Sequence, residues 1–545
     1  MMNLHRLPTA LLLLITLATS TLSAQTSVTK EQQESFNSNA RKILTVLQAI
    51  NEAYVDSINN DQIAEDAIIG MLNELDPHSA YTSAEEVAEM MEPLQGSFEG
   101  VGIQFNMLTD TLYVVQVIAG GPSERVGIRA GDRMIFVGDT LIAGVKQTNS
   151  DILKRLRGKK GTMVDVKIKR RGEEELISFR ITRDKIPINS LDAAYMLTPE
   201  VGYIRLNNFS ATTLEETTNA LDKLTAQGMQ HVILDLQSNG GGYLSAAIEL
   251  SSIFLDRGKL VVYTKGRTSP KREALSTGGR FNDKRHRLVV LTDQYSASAS
   301  EIVSGAMQDW DRGIIVGRRT FGKGLVQSPL PLADGSMIRL TTARYYTPAG
   351  RSIQKPYEHG ENDQYQMETY DRYMSGELMH SDSIHFADSL RYNTLISGRT
   401  VYGGGGIMPD RFVPLDTTKY TDWHRDISAK GIVQTVSMNY ADLHRKTIAR
   451  QYETLNAFIN NYTTPTELFD ELIAEGKKEK IEATTDEIER ARPMVNMILK
   501  ALVGRELFGM ESYYQLINKE DDILQQGLEI ILDPTRYHKL LQSNK

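Results

Sequence analysis

Apolar residues recur at helical spacing near both ends of the chain and at strand spacing between them. In residues 26–95, the apolar positions at 43–50 and 63–72 predict two helices, and Asp76-Pro77 ends the second. Residues 430–545 return to helical spacing, and Pro493 is expected to be the first residue of a helix. The pattern therefore predicts helical regions at both ends.

From Gly96 the pattern changes to short apolar or alternating runs separated by glycine turns, which is typical of strands. One helix, Ser150–Leu156, lies among them. The predicted strands are 101–105, 111–118, 133–137, 164–170 and 176–182. About 85 residues with this content form one compact, strand-rich domain.

From about Ile188 strands and helices alternate. The predicted strands are 201–206, 231–236, 260–264, 288–292 and 314–316, and the predicted helices are 213–227, 243–255 and 299–308. A capping box of Thr213 and Glu216 is expected to open the first of these helices. The alternation indicates a largely parallel sheet covered by helices, whose ligands bind at the carboxyl ends of the strands. The turns at 239–242 and 296–300 both lie at that edge.

Composition narrows the function classes. The chain has 545 residues, a formal net charge of −8 and a pI near 5.8, which argues against nucleic acid as the main partner. It contains no cysteine, which excludes disulfides, thiolate metal sites, a cysteine nucleophile and a lipid anchor on an N-terminal cysteine.

The N-terminus resembles a secretory signal. His5 and Arg6 precede an apolar run at 9–19, and small residues lead to an expected cleavage after Ala24. The alternative is an uncleaved anchor, although the run is short for a span of about 20 residues. No later segment is apolar enough to span a bilayer, so we expect a periplasmic or secreted protein that does not span the membrane.

Ser298 follows a buried strand in a small-residue turn and precedes a helix. Such a turn can expose a hydroxyl while the helix N-terminus offers N–H groups to an oxyanion. Ser298 and Glu301 also have the spacing of a capping box, which taken alone explains Ser298 better as a helix cap than as a nucleophile. A hydroxyl needs a base before it is a nucleophile.

A base candidate occurs in the turn Thr320-Phe321-Gly322-Lys323-Gly324, after the next strand of the sheet. Desolvation would favour the neutral amine of Lys323, which could then accept a proton. The alternatives are a surface lysine and a phosphate-binding loop, and the latter lacks the Ser/Thr and the upstream glycine. Gln327 could orient the amine or be an ordinary surface residue.

A glycine turn, Asn239-Gly240-Gly241-Gly242, follows the strand that ends at Leu236. Its backbone N–H groups could supply one oxyanion donor, with the N–H of Ala299 as the other. The alternative is a plain turn between a strand and a helix.

Taken in order, these motifs resemble the carboxyl-terminal processing (tail-specific) protease family. The resemblance implies a Ser–Lys dyad assisted by glutamine on a crotonase-like, Clp-protease-related core. It assigns Ser298 as nucleophile, Lys323 as base and Gln327 as its partner, and it maps the oxyanion donors onto Ala299 and a glycine of the turn, for which we favour Gly241. Motifs at 75–79 and 405–410 also match, whereas Gln237 stands where members commonly have arginine.

Gly100-Val101-Gly102-Ile103 and the segment 121–132 resemble the carboxylate-binding loop and its surroundings in PDZ domains. Backbone N–H groups after the glycine turn could bind a terminal carboxylate, and the peptide could add as a strand beside 101–105. The helix at 150–156 would complete a slot for an apolar last side chain. The alternative is a small β domain used only for packing.

We therefore expect α/β and β modules: a crotonase/Clp-protease-like core with an inserted PDZ domain and helical ends. The expected division is a signal peptide at 1–24, a helical region at 25–95, a PDZ domain at 96–184, a protease core at 185–356 and 400–418, an insertion at 357–399 and a helical region at 419–545. The expected function is a secreted serine endopeptidase that needs no metal or cofactor and takes proteins or peptides with free, apolar C-termini. Alternatives are a catalytically idle tail-binding scaffold and a crotonase-like acyl-transfer enzyme. The helical ends suggest a homodimer or gating of the PDZ module.

Overall fold

The computed structural model describes residues 29–108, 110–118 and 120–542. The signal peptide expected at 1–24 lies outside these residues. Within the described ranges, the helices are all too short or too polar to cross a bilayer.

The N-terminal region is mostly helical, as the periodicity predicts. Its elements are α1 (Lys30–Ala53), α2 (Asn60–Asn73), β1 (Ala80–Thr82) and α3 (Ala84–Gln95). A capping box of Thr29 and Gln32 opens α1, yet none of its residues is buried. The short strand β1 was not expected, and it extends a sheet that lies far along the chain.

The next segment is an antiparallel sheet with two short helices. Its elements are β2 (Ser97–Gly100), β3 (Ile103–Leu108), β4 (Thr111–Val117), α4 (Pro122–Val126), β5 (Arg133–Val137), β6 (Thr140–Leu141), α5 (Asn149–Leu156), β7 (Met163–Lys169), β8 (Ile177–Thr182) and β9 (Asp184–Pro187). The strand order is β3-β4-β5-β7-β8, so β3 lies at an edge. Strands β2 and β9 pair where the segment joins the rest of the protein.

The central sheet has the order β10-β11-β12-β15-β16-β21 and is parallel from β11 onward. Its elements and crossover helices are β10 (Leu191–Met196), β11 (Val201–Leu206), α6 (Thr213–Ala226), β12 (His231–Asp235), α7 (Leu244–Phe254), β15 (Leu288–Thr292), α8 (Ala299–Asp309), β16 (Ile314–Gly317) and β21 (Arg411–Phe412). Every residue of β12, β15 and β16 is buried, which explains their continuous apolar sequence.

Thr213 and Glu216 do not form the expected capping box. The N-cap of α6 is Thr212, and the Thr213 hydroxyl instead accepts the Ser210 N–H at 2.8 Å. The Glu216 carboxylate accepts the Leu191 N–H at 2.9 Å. The backbone N–H groups of Ser210 and Leu191 therefore take the side-chain oxygens that the expected cap would use.

A second, antiparallel sheet lies beside the central one. It contains β1, β13 (Leu260–Lys265), β14 (Arg272–Leu275), β17 (Leu325–Pro331) and β18 (Met337–Tyr346). The segment 260–264 was expected in the parallel sheet, but β13 pairs antiparallel with β14 and β18. Strands β17 and β18 were not expected, because they are only partly buried and carry no continuous apolar run.

The polar segment after the second sheet is ordered by helix α9 (Asn362–Met374) and by the paired strands β19 (Arg391–Asn393) and β20 (Thr400–Tyr402). Short 3-10 turns at 381–383 and 388–390 link them. Two buried side chains, Tyr365 and Arg372, anchor α9.

The C-terminal region is helical, as expected. Its helices are α10 (Asp422–Ala429), α11 (Ile432–Gln451), α12 (Leu455–Asn461), α13 (Thr466–Lys478), α14 (Thr485–Phe508), α15 (Met510–Ile517), α16 (Asp522–Leu532) and α17 (Pro534–Leu540). Ile523 and Ile530 of α16 pack on Val289 and Leu291 of β15, so this region completes the core of the central sheet. Pro493 lies inside α14 and not at its start, since a capping box of Thr484 and Glu487 begins that helix.

Candidate active site

Ser298 occupies a strained turn at the carboxyl end of β15. Its φ of 56° and ψ of −111° lie outside the regions that residues with a side chain favour. Such strain persists only where the surroundings enforce it, and it concentrates at functional sites. The Asp293 carboxylate holds the start of this turn by accepting the N–H groups of Tyr295 and Ser296, both at 3.0 Å. The Ser298 residue itself is only partly buried.

The glycine turn packs directly on this serine. A Cβ at Gly241, whose φ is +101°, would lie 2.8 Å from the Ser298 Cβ and 2.9 Å from the Ala299 N. Only glycine permits that approach. The Asn239 carbonyl fixes the contact by accepting the Ala297 N–H at 3.0 Å and the Ser300 hydroxyl at 2.8 Å.

The Gly241 N–H, expected to face an oxyanion, donates instead to Asn239 Oδ1 at 2.9 Å. The Gly241 N–H is therefore engaged within its own turn.

Lys323 follows β16 in a further turn at the same edge of the sheet. We call this turn, residues 319–323, the lysine turn. Burial lowers the pKa of the Lys323 amine, and the charge of Arg339 lowers it further, whereas Glu301 and Asp76 act in the opposite direction. The net direction favours the neutral form of this amine.

Glu301 joins the two turns, a role that its capping-box spacing did not reveal. Its fully buried carboxylate accepts the N–H of Ser298 at 2.8 Å, of Gly322 at 2.7 Å and of Lys323 at 2.9 Å. It also accepts the Thr320 hydroxyl at 2.6 Å. Burial raises its pKa to about 7 although these hydrogen bonds favour the carboxylate. One side chain thus fixes the backbone of both turns.

Tyr345 of β18 adds a second link between the same turns. Its buried hydroxyl lies 3.2 Å from the Ser298 carbonyl and within hydrogen-bonding reach of the Lys323 carbonyl. Strand β18 was missed in the sequence, so this contact could not be predicted.

Gln327 lies on β17, and its Nε2 donates to the Thr341 hydroxyl at 3.4 Å and to the Leu325 carbonyl at 3.3 Å. The Thr341 hydroxyl donates in turn to Asp76 Oδ1 at 2.9 Å. Asp76 belongs to the motif at 75–79, to which the sequence assigned no role. Through Thr341, this motif is therefore hydrogen-bonded to Gln327. Burial, followed by the charge of Lys323, lowers the pKa of His78 in this motif to about 4.

The loop Gly100–Ile103 leads into the edge strand β3. Gly102 has a φ of +76°, and the Val101 carbonyl accepts the Ser123 N–H at 3.1 Å and its hydroxyl at 2.7 Å. Val101 and Ile103 share a core cluster with Ile152 and Leu156 of α5. The loop, the strand edge and the helix thus lie together, as the sequence predicted.

Four family models match the chain. The peptidase family S41 model matches residues 200–360 and the PDZ domain model matches 100–181. A model of the N-terminal domain of the activating protease CtpB matches 13–86, and a family of unknown function, DUF8443, matches 423–509.

Curated relatives extend this likeness. A carboxy-terminal-processing protease of Bartonella bacilliformis is 34% identical over 337 residues, which is 61% of this chain and 76% of that protein. The carboxy-terminal processing protease CtpB of Bacillus subtilis is 34% identical over 317 residues, 58% of this chain and 65% of its own length. The solved photosystem II D1 C-terminal processing protease is 29% identical, with 57% of this chain and 89% of that chain covered. Its TM-score is only 0.32, so the family assignment rests on the sequence relatives.

The peptidase and PDZ models together define a serine-type peptidase with a PDZ domain on a mixed α/β body with helical ends. The chain belongs to the carboxyl-terminal processing protease family.

Proposed function

We propose that this protein is an endopeptidase in which Ser298 is the nucleophile and Lys323 the general base, with Gln327 orienting the amine. The observation that carries the proposal is the buried Glu301 carboxylate, which ties the strained Ser298 turn to the desolvated lysine turn. A scaffold without catalysis has no need of that strain.

In this mechanism the Ser298 hydroxyl attacks the scissile carbonyl, and the neutral Lys323 amine takes its proton. The N–H of Ala299 and an N–H of the glycine turn, Gly241 once its Asn239 contact is exchanged, stabilise the oxyanion. The protonated lysine returns the proton to the leaving amine, and water then hydrolyses the acyl-enzyme. All these groups belong to the chain itself, so the proposal needs no metal or cofactor.

We place this chemistry on a crotonase-like, Clp-protease-related core. The parallel order β11-β12-β15-β16 with crossover helices supports that assignment. The glycine turn, the turn at Ser298 and the lysine turn follow three neighbouring strands of this core, β12, β15 and β16.

The PDZ domain, we propose, reads free and apolar C-termini. The Gly100–Ile103 loop would bind the terminal carboxylate, β3 would pair with the extended tail, and the α5 side would receive the last side chain. The edge position of β3 supports this assignment.

Two further proposals concern location and assembly. The pattern of residues 1–24 supports export to the periplasm or the medium. Helix α1 has no buried residue, and its Phe36 and Leu44 side chains are 65% and 61% accessible, which supports a homodimer through this helix. Light scattering on wild type and on a variant lacking residues 29–53 tests the dimer. The same number of chains per particle in both proteins would exclude a dimer through α1.

The test of catalysis uses wild type, Ser298→Ala and Lys323→Ala with an unfolded protein that ends in an apolar residue. We expect cleavage by wild type alone, and slower cleavage when the substrate C-terminus is amidated. Equal cleavage by all three proteins, or by none, would contradict the endopeptidase. Tail binding without cleavage by wild type would identify a scaffold instead.

A further inference from the structure

The insertion at 357–399 contacts the lysine turn through one buried arginine. Arg372 of α9 donates from Nη1 to the Thr320 carbonyl at 2.8 Å and from Nη2 to the Phe321 carbonyl at 3.1 Å. Its side chain is 2% exposed. A guanidinium with fixed, forked donors is well suited to hold two successive carbonyls.

Arg372 is itself held by its own helix. Its Nε donates to Glu368 Oε1 at 2.6 Å, one helical turn earlier. Glu368 also accepts the buried Lys355 amine at 3.0 Å, so its carboxylate is fixed from two sides.

A second pair from the insertion holds the residue that begins the lysine turn. Glu377 accepts Arg319 Nε and Nη2 in a bidentate pair, both at 2.7 Å. Arg319 Nη1 continues to the Gly405 carbonyl at 2.6 Å. The insertion therefore fixes both a side chain and the backbone of this turn.

In the lysine turn, backbone N–H groups and backbone carbonyl groups are therefore both hydrogen-bonded to buried side chains. Glu301 takes the N–H groups of Gly322 and Lys323, while Arg372 takes the carbonyls of Thr320 and Phe321. Gly322 has a φ of +90°, and a glycine in this region is free to adopt other conformations unless its neighbours hold it. Both holding groups are buried, so water cannot easily replace either one.

We propose that Arg372, fixed by Glu368, is a positioning residue for the reaction: the insertion orders the lysine turn and so places the Lys323 amine. This inference rests on the proposed function for its catalytic consequence, but the ordering of the turn can be measured without activity.

The experiment compares wild type with Arg372→Met and Glu368→Gln, and with Arg391→Met as the matched control. Arg391 belongs to the same insertion but is exposed, and its side chain donates to Thr400 Oγ1 of the neighbouring strand at 3.1 Å. Amide hydrogen exchange of Gly322 and Lys323 is followed beside that of the buried strand β12, and kcat and KM are measured on one tail-bearing substrate.

For Arg372→Met we expect exchange at Gly322 and Lys323 to quicken at least about 10-fold with β12 unchanged, because the opening free energy of the turn falls. We expect kcat to fall about 10- to 100-fold with KM within about 2-fold of wild type, since a small displacement of a catalytic group costs this much. Glu368→Gln should show the same pattern more weakly, and Arg391→Met should match wild type.

Unchanged exchange at Gly322 and Lys323 in folded Arg372→Met would overturn the proposal. So would faster exchange throughout β12 to the same degree, which would indicate general destabilisation. If Arg372→Met does not fold, the same criteria apply to Glu368→Gln. A wild type that cleaves nothing defeats the proposed function alone, because the exchange data still decide whether the insertion orders the turn.

Discussion

The lysine turn and the edge of the PDZ domain differ in how much of their backbone is already hydrogen-bonded. In the lysine turn, buried charged side chains take N–H and carbonyl groups alike. Strand β3 of the PDZ domain pairs with β4 on one side and lies at the edge of its sheet. Catalytic groups must be fixed before substrate arrives, whereas a tail reader needs unpaired backbone. Substitutions should therefore change kcat in the first region and KM in the second.

The largest effect is expected for Glu301→Ala, which leaves the N–H groups of Ser298, Gly322 and Lys323 without their buried acceptor. Unfolding free energy should fall by about 2–5 kcal/mol and kcat by at least about 100-fold. Urea denaturation and steady-state kinetics measure both quantities. Glu487→Ala is the control, since its capping box on α14 is exposed, and it should leave kcat unchanged. Equal effects at the two positions would contradict the bridging role.

Gly241→Ala should lower kcat about 100-fold with little change in KM, because the new Cβ would displace Ser298 or the Ala299 N–H. Gly240→Ala provides the comparison, since a Cβ there meets nothing within 4 Å. Both variants are assayed on the same tail-bearing substrate. Indistinguishable kcat values would show that close packing on Ser298 does not matter.

Gly102→Ala should act on the other region. Its Cβ would lie 3.0 Å from Ile186 Cδ1 and 3.1 Å from Pro122 Cδ, which distorts the loop before β3. We expect KM for a tail-bearing peptide to rise about 10-fold with kcat unchanged, as for lost uniform binding. Gly120→Ala has a similar φ of +70° but open space around its Cβ, so it isolates the steric effect. A fall in kcat for Gly102→Ala alone would break the division between the two regions.

The smallest effect is expected for Arg339→Gln, which should move a pH profile and leave its plateau in place. Arg339 lowers the pKa of Lys323, so its removal raises that pKa and shifts the acidic limb of kcat/KM to higher pH. Arg344→Gln on the same strand is exposed and serves as the control. A limb that stays in place, or moves to lower pH, would show that Lys323 is not the titrating base.

The sequence predicted the central sheet well, because strands such as Leu288–Thr292 are buried on both faces and apolar throughout. The sequence also predicted that Ser298, Lys323 and the glycine turn lie at one edge of this sheet, since the carboxyl ends of parallel strands meet at the same edge. Strands β17 and β18 escaped because their partly buried residues have no clear period.

The contacts that organise the site were beyond local patterns. Glu301 had the spacing of a helix cap, but its bonds to Gly322 and Lys323 span 21 and 22 residues. Arg372 reaches Thr320 across 52 residues from a segment with no apolar period. Such tertiary contacts leave no signal in one sequence. The wrong assignments at Thr213 and Pro493 have a different origin, because the N-cap of α6 is Thr212 and because α14 begins earlier, at the local capping box of Thr484 and Glu487.

The activation of Ser298 by a neutral Lys323 amine is tested most directly by the rate at which an organophosphonate labels Ser298 as pH is varied. Intact-protein mass spectrometry follows the single adduct. We expect one adduct in wild type, formed faster as pH rises through the lysine pKa, none in Ser298→Ala, and slow labelling without that pH step in Lys323→Met. Labelling of Lys323→Met at the wild-type rate and with the wild-type pH profile would contradict it.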